Sequence, residues 1–386
     1  MRTLILLLLV FSFSLSFGQK TIYKKYESDE LKDIRDVTIH LPKGYEKDSI
    51  SNFPLAIVLD GQKLFDLYVG VSNYYASQDN APEQIVVGVN MESTRSKDAG
   101  YDVTDSKLTT DARRFYRFLR DELIPFVEAN YKTSPFLTIV GESLTANFIT
   151  HFLKEKDPIF NAYISINPTL APDVNAQVQS YNIERLGTMD NTFYFYVSGN
   201  PYAKSEKLTK IQAFGKFMKS IGVENFNVVF DELSSSPSSA SVIGEGMSRA
   251  FAKIFEIYSG ITQDEYDKKI KELDPPSAIA YLETKYLDIE YLFGSNIGIR
   301  QQDVVAIEDI IIEKENGDYL KDFGEMILKL YPTSEMGNYY LGRYFESGND
   351  FKAALEQYRL GYGKMNPADP NADLYYLNVE RMLEKL

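Results

Sequence analysis

Phe136-Leu137-Thr138-Ile139-Val140-Gly141-Glu142-Ser143-Leu144-Thr145 decides the fold of this 386-residue chain. The first five residues are mostly apolar, as a strand buried on both faces is. Gly141 starts a turn, and Ala146 to Lys154 carries a helix-like pattern. Strand, sharp turn and helix in that order put Ser143 at the turn. Outward from it, the same type of apolar run recurs at Pro54 to Leu59, Ile85 to Val89, Ala162 to Ile166, Phe193 to Val197 and Phe226 to Phe230. Val37-Thr38-Ile39-His40-Leu41 alternates, which predicts a half-buried strand with His40 on the more exposed face. Helical stretches at 110–131 and 204–221 lie between these runs; Phe115, Phe118, Leu119, Leu123 and Phe126 fall at helical spacing. Strands alternating with helices predict an α/β fold, a mostly parallel sheet covered on both faces.

The composition shifts near Gly260. Beyond it only Val304 to Ile312 reads as a strand, and the rest reads as helix. Leu341, Gly342, Phe345, Asp350, Phe351, Ala354, Tyr358 and Gly361 fall on the positions of a tetratricopeptide repeat, with Pro332 keeping the phase. A single unit cannot bury its own face, so it is expected to pack on degenerate helical pairs as a stabilising appendage. A peptide-binding groove, and hence a protein partner, is the functional alternative.

Residues 1–18 read as a secretory signal: Arg2, an apolar core from Leu4 to Val10, and Ser16-Phe17-Gly18 before Gln19. The apolar run is too short for a span, and no later segment is apolar enough to cross a membrane. The expected division is a signal over 1–18, an α/β domain over 19–258 and a helical domain over 259–386, in a periplasmic or secreted bacterial protein. The chain has no cysteine, which excludes disulfides and thiolate metal sites and suits an oxidising compartment. A net charge of −14 argues against nucleic acid and anionic membranes as partners and favours solubility.

Gly141-Glu142-Ser143-Leu144-Thr145 is close to G-x-S-x-G, the nucleophile elbow of α/β-hydrolases. Residues 30–258 resemble the putative esterase family (esterase D and enterobactin-esterase-like proteins). Leu41-Pro42-Lys43-Gly44-Tyr45 is similar to its LPxGY turn, and Leu59-Asp60-Gly61-Gln62 to its LDGQ. Val86 to Asn90 with Arg95 and Asp98, Phe118 to Phe126 with Tyr131, and Ser165 to Pro168 follow in the family's order. The resemblance implies a serine ester hydrolase with Ser143 as nucleophile and no cofactor. Its oxyanion hole would be the backbone N–H groups of Leu144 and of a residue of Gly61-Gln62-Lys63, assigned to Gln62.

The rest of the machinery departs from that pattern. Glu142 replaces the family's histidine before the serine, and Thr145 and Ala146 replace its two glycines after the leucine. A β-branched Thr145 is expected to crowd the elbow, and an unpaired Glu142 charge would oppose an oxyanion. Ser239-Ala240-Ser241-Val242 matches the family's H-x-SV segment with Ser239 at the histidine position, and Asn200 stands near the acid position. Glu206 and Asp231 are the nearest carboxylates. The chain has two histidines, His40 and His151. His151 is eight residues past Ser143 on one helix, about 12 Å along its axis and too far for a hydrogen bond.

Asp60, Asp98, Asp102 and Asp105 lack metal-site spacing and read as solvated loop charges, so no metal is expected. Ser234 to Ser241 reads as a flexible loop over the mouth of the site. The 28 tyrosines could line a carbohydrate or peptide groove; Tyr74-Tyr75 and Tyr339-Tyr340 are expected in helix cores. Two readings of function follow. One is a catalytically impaired member that binds a small ester, peptide or carbohydrate, or acts as a scaffold. The other is an active ester hydrolase using Ser143 with an unconventional base such as Glu142. A serine without its base is a weak nucleophile, which favours the first.

Overall fold

The computed structural model describes residues 20–46, 51–200, 205–233, 237–294, 297–315, 317–366, 368–369 and 371–386. The expected signal, residues 1–18, lies outside them. The chain divides into two compact units, Met1–Glu256 and Ile257–Leu386.

The N-terminal unit is built on β1 (Lys20–Ser28), β2 (Asp33–Leu41), β3 (Phe53–Val58), β4 (Ile85–Val89), β5 (Thr133–Glu142), β6 (Ala162–Ile166), β7 (Phe193–Gly199) and β8 (Phe226–Glu232). The sheet order is β1-β2-β4-β3-β5-β6-β7-β8. The β1–β2 and β2–β4 pairs are antiparallel and all others parallel. β3, β4 and β6 are buried at every position, as strands covered on both faces must be. β1 is an edge strand with an exposed and half-exposed pattern; Lys20, Lys24 and Lys25 protect it from pairing with another chain.

The principal helices of this unit are α1 (Gly61–Ser77), α2 (Thr110–Arg117), α3 (Leu144–Phe148), α4 (Ser205–Ser220) and α5 (Ser239–Ile254). α2 continues through the π-helical Phe118–Leu123 into Ile124–Asn130. That stretch buries Phe115, Phe118, Leu119 and Leu123 with Leu55, Ile57 and Ile139 of the sheet. α1 and α5 pair through Tyr68 and Phe251, whose rings lie 5.0 Å apart. Tyr75 adds a hydrogen bond to Ser248 O at 2.8 Å, while Tyr74 is 65% exposed rather than in the core.

His40 is not half exposed, as the alternation predicted; it is 3% exposed. It pairs in register with Val86 and hydrogen-bonds Asn73 of α1, so that helix covers the face expected to be open. Burial lowers its pKa.

The C-terminal unit contains α6 (Pro275–Phe293), α7 (Gln301–Glu315), α8 (Leu320–Leu330), α9 (Glu335–Ser347), α10 (Phe351–Lys364) and α11 (Ala372–Lys385). Val304 to Ile312 is helical rather than a strand: Val304, Ile307 and Ile311 recur at helical spacing, and all three are buried with Leu282 and Tyr286 of α6. α9 and α10 approach closely at Gly342, where a Cβ would lie 2.5 Å from the Tyr358 ring. Tyr340 is buried against Phe323.

Candidate active site

Three neighbouring strands, β3, β5 and β6, are each followed within two residues by a non-glycine residue with positive φ: Asp60 (53°), Ser143 (56°) and Asn167 (46°). Such backbone costs about 1–3 kcal/mol each and persists only where the surroundings hold it. At Ser143 the holding bonds are plain. Its N–H donates to Ile166 O at 2.9 Å, and its carbonyl accepts from Thr169 N at 2.8 Å. Gly141 is required by close packing, since a Cβ there would sit 2.5 Å from the carbonyl carbon of Thr145.

Thr145 does not crowd this turn. Its side chain is fully buried and built into it. Oγ1 accepts from Glu142 N at 2.9 Å and lies 2.7 Å from Asp60 Oδ2 and 2.9 Å from Glu142 O, to either of which its hydroxyl can donate. The close approach that the absent glycine would serve is met at Gly141 instead.

Asp60 and Asp98 are not solvated loop charges; each is 1% exposed. Arg95 grips Asp60 with two parallel bonds, Nε to Oδ1 at 2.6 Å and Nη2 to Oδ2 at 3.0 Å. Arg35 holds Asp98 at 2.8 Å. Asp102 and Asp105 are exposed, as expected. Arg95 Nη2 also reaches Glu142 O at 2.7 Å and Glu142 Oε2 at 3.2 Å, and Lys63 Nζ donates to the same Oε2 at 3.0 Å. The Glu142 charge beside Ser143 is therefore paired twice. Burial disfavours the Arg95 charge, but the hydrogen bond and charge of Asp60 and the charge of Glu142 outweigh it and raise its pKa.

Ser143 is half exposed, and its Oγ lies 2.8 Å from Thr169 Oγ1. Leu144 and Gln62 sit in the first turns of α3 and α1, where backbone N–H groups have no partner within the helix. The Gln62 side chain accepts from Met91 N at 3.0 Å and so ties the start of α1 to the loop after β4. A Cβ at Gly61 would meet Val89 N at 2.8 Å, so that position needs glycine.

The structure brings Asn200 and Ser239 together: Asn200 Nδ2 donates to Ser239 Oγ at 3.3 Å. Ser239 lies in the first turn of α5, with Ser238 capping it by accepting from Ser241 N at 3.1 Å. Residues 239–241 are thus helical rather than a flexible loop, while residues 234–236 of that expected loop lie outside the described residues. Asp231 accepts from Tyr196 Oη at 3.1 Å, and Glu206 pairs with Lys210 at 3.0 Å.

His151 is buried in the 3-10 segment Ile149–Lys154, with Nδ1 3.1 Å from Tyr181 Oη. Burial, reinforced by the Lys154 charge, pushes its pKa down to about 3. Among the described residues no group of three or more acidic or histidine side chains could hold a metal ion, and no helix is long and apolar enough to cross a membrane.

Residues 28–191 match the family model described as putative esterase. The N-terminal unit is thus similar to the putative esterase family over these residues and has an α/β-hydrolase fold. An uncharacterised protein from Capnocytophaga ochracea is similar to this chain at a TM-score of 0.81 and 23% identity, over 95% of this chain and 100% of that one. An IroE-like serine hydrolase from Shewanella oneidensis matches at 0.58 and 20%, over 81% and 98%. The BES protein of Bacillus cereus matches at 0.52 and 19%, over 62% and 94%. At these identities the likeness is one of fold. No curated protein matches this chain by sequence. Sequence reasoning about this unit missed the Asp60–Arg95–Glu142–Lys63 network. The signal available was the pair of motifs that carry Asp60 and Arg95, which place an acid and a base after adjacent strands.

Proposed function

We propose that this is an exported esterase-family protein whose elbow serves as a ligand-binding pocket and whose hydrolytic activity is impaired. One observation carries the reading: the Ser143 hydroxyl is paired with Thr169, 2.8 Å away, and a threonine hydroxyl cannot act as a base at neutral pH. The Asn200–Ser239 contact supports it, because two groups without basic nitrogen or carboxylate stand where an acid and a histidine would meet. Leu144 and Gln62 keep the backbone donors of an oxyanion hole, which can bind an ester or acid carbonyl without cleaving it. The ligand is a small ester, peptide or carbohydrate. The C-terminal unit is a tetratricopeptide-like appendage that stabilises the protein, with protein binding as its alternative role.

A second reading is favoured by the strain retained at Ser143: slow ester hydrolysis with an unconventional base. Glu142 is poorly placed for that task, since its Oε2 already accepts from Lys63 and Arg95. The test is labelling by a fluorophosphonate probe and turnover of 4-nitrophenyl acetate, beside Ser143→Ala. Identical traces for the two proteins are expected. Labelling and turnover that depend on Ser143 would overturn the binding-only reading. Export is checked separately by sequencing the N-terminus of protein recovered from the periplasm or medium, with cleavage after Gly18 expected.

A further inference from the structure

Asn167 follows β6 directly, in a segment that wraps Ser143. The Ser143 N–H donates to Ile166 O at 2.9 Å, the Ser143 carbonyl accepts from Thr169 N at 2.8 Å, and the hydroxyls of Ser143 and Thr169 lie 2.8 Å apart. Asn167 is thus fixed between the two residues that hold the elbow. Its own N–H donates to Ser198 O at 2.9 Å, which ties it to β7 as well. Its φ of 46° lies in the left-handed region, which asparagine enters more readily than most residues with a Cβ. Its side-chain carbonyl, by contrast, is left over. Oδ1 is buried and, among the described residues, has no hydrogen-bond partner. An asparagine Oδ1 at a turn ordinarily accepts from a backbone N–H one or two residues on. Pro168 has no N–H to give, and that of Thr169 is spent on Ser143. The residue as a whole is half exposed, so its amide stands at the edge of the site and not in the core. A buried carbonyl without a donor weakens a fold, and so does a positive φ. Both features meet on one residue, held there by the bonds of the elbow itself.

We infer that Asn167 is a specificity residue, whose amide recognises a hydroxyl or amide N–H carried by the ligand beside the carbonyl bound at the elbow. This deepens the proposed function and rests on its reading of the elbow as a ligand pocket. The groups around Ser143 that are free of ion pairs are neutral: the Thr169 hydroxyl, the Asn167 amide, and the Asn200–Ser239 pair at the end of β7. The carboxylates beneath the elbow are already engaged, Asp60 by Arg95 and Thr145 and Glu142 by Arg95 and Lys63. Rotation about χ2, which is broad in asparagine, exchanges the two amide atoms, so either the carbonyl or the NH2 group can face the site. A ligand donor supplies the bond to Oδ1 that the chain itself does not make. Recognition of this kind rejects an analogue without the donor strongly, because the polar atom of the site is then left unpaired.

The experiment uses two matched pairs of uncharged probes that an esterase cannot cleave: 2-hydroxyacetophenone with 2-methoxyacetophenone, and N-methylbenzamide with N,N-dimethylbenzamide. Within each pair only the donor is masked. Binding is measured by ligand-observed NMR on the full chain as wild type, Asn167→Gly and Asn167→Asp. Glycine keeps the left-handed backbone and removes the amide; aspartate keeps the acceptor and the shape. The wild type is expected to prefer the donor-bearing member of at least one pair by ~10-fold, and the pair that shows the preference tells hydroxyl from amide N–H. The preference should persist in Asn167→Asp and vanish in Asn167→Gly. No preference in the wild type, or the same preference in Asn167→Gly, would overturn the inference while leaving the pocket intact. Absence of binding by all four probes to the wild type would overturn the pocket reading and the inference together. Ser143-dependent turnover of 4-nitrophenyl acetate, with the preference still lost in Asn167→Gly, would overturn impaired hydrolysis alone and uphold the role of Asn167.

Discussion

Asn200 Nδ2 donates to Ser239 Oγ across 3.3 Å, joining the end of β7 to the first turn of α5. Under the proposed function these two residues stand where an esterase would hold an acid and the histidine it orients. On that reading two side chains, already adjacent, lack a carboxylate and an imidazole. Asn200→Asp with Ser239→His is expected to raise hydrolysis of 4-nitrophenyl acetate roughly 10²-fold or more, since a positioned base contributes 10²–10⁴. The gain should vanish when Ser143→Ala is added. A folded double variant with wild-type rates would show that these are not the vacated positions.

Arg95 is the hub of the charges beneath the elbow. Asp60 and Glu142 are both buried and both rely on it. Among the described residues, Arg95→Met leaves Asp60 hydrogen-bonded to the Thr145 hydroxyl and Glu142 to Lys63. Unfolding free energy from urea titration is expected to fall by about 3 kcal/mol or more, as when one partner of a buried pair is removed. Arg95→Lys should recover only part, because an ammonium cannot make two parallel bonds to one carboxylate.

Thr145 yields a prediction opposite to the one its sequence position suggests. If it crowded the turn, the family's glycine would relieve strain. Because Oγ1 accepts from Glu142 N and lies within bonding distance of Asp60, Thr145→Gly is expected to destabilise the protein by about 1–3 kcal/mol. Added backbone freedom in the unfolded chain acts in the same direction. A thermal midpoint that rises in Thr145→Gly would contradict the structure.

His151 sets part of the acid sensitivity. Its folded pKa, about 3, lies below the ordinary value of 6.5. The unfolded chain therefore binds a proton that the folded chain refuses. The contribution to stability is fully present above about pH 6.5 and is lost as pH falls toward 3, at about 1.4 kcal/mol per pH unit. His40 shifts in the same direction. Plotting urea unfolding free energy against pH should give a shallower acid slope for His151→Gln than for the wild type between pH 6 and pH 4.

Much of the sheet was legible because strands buried on both faces leave uninterrupted apolar runs. Ile85–Val89 and Ala162–Ile166 have the same bounds in the sequence pattern and in the structure. β1 was harder to see, since its exposed and half-exposed residues carry little hydrophobic signal. Val304 to Ile312 misled because a short apolar run fits either period, and only burial against α6 shows which residues face inward. The same ambiguity misplaced His40: local alternation cannot show that α1 will cover the second face of β2.

The sequence by itself determined most strands of the parallel sheet, the turn that carries Ser143, and the absence of a histidine from the Ser239–Val242 segment. These follow from local periodicity and residue identity. The tertiary structure decided what surrounds that turn. It set Asn200 against Ser239, paired Glu142 with Lys63 and Arg95, and made Thr145 a strut rather than an obstruction. Those relations join residues up to 85 positions apart. Hydrogen bonds and ion pairs act over a few ångströms, and only the folded sheet brings such partners within that reach.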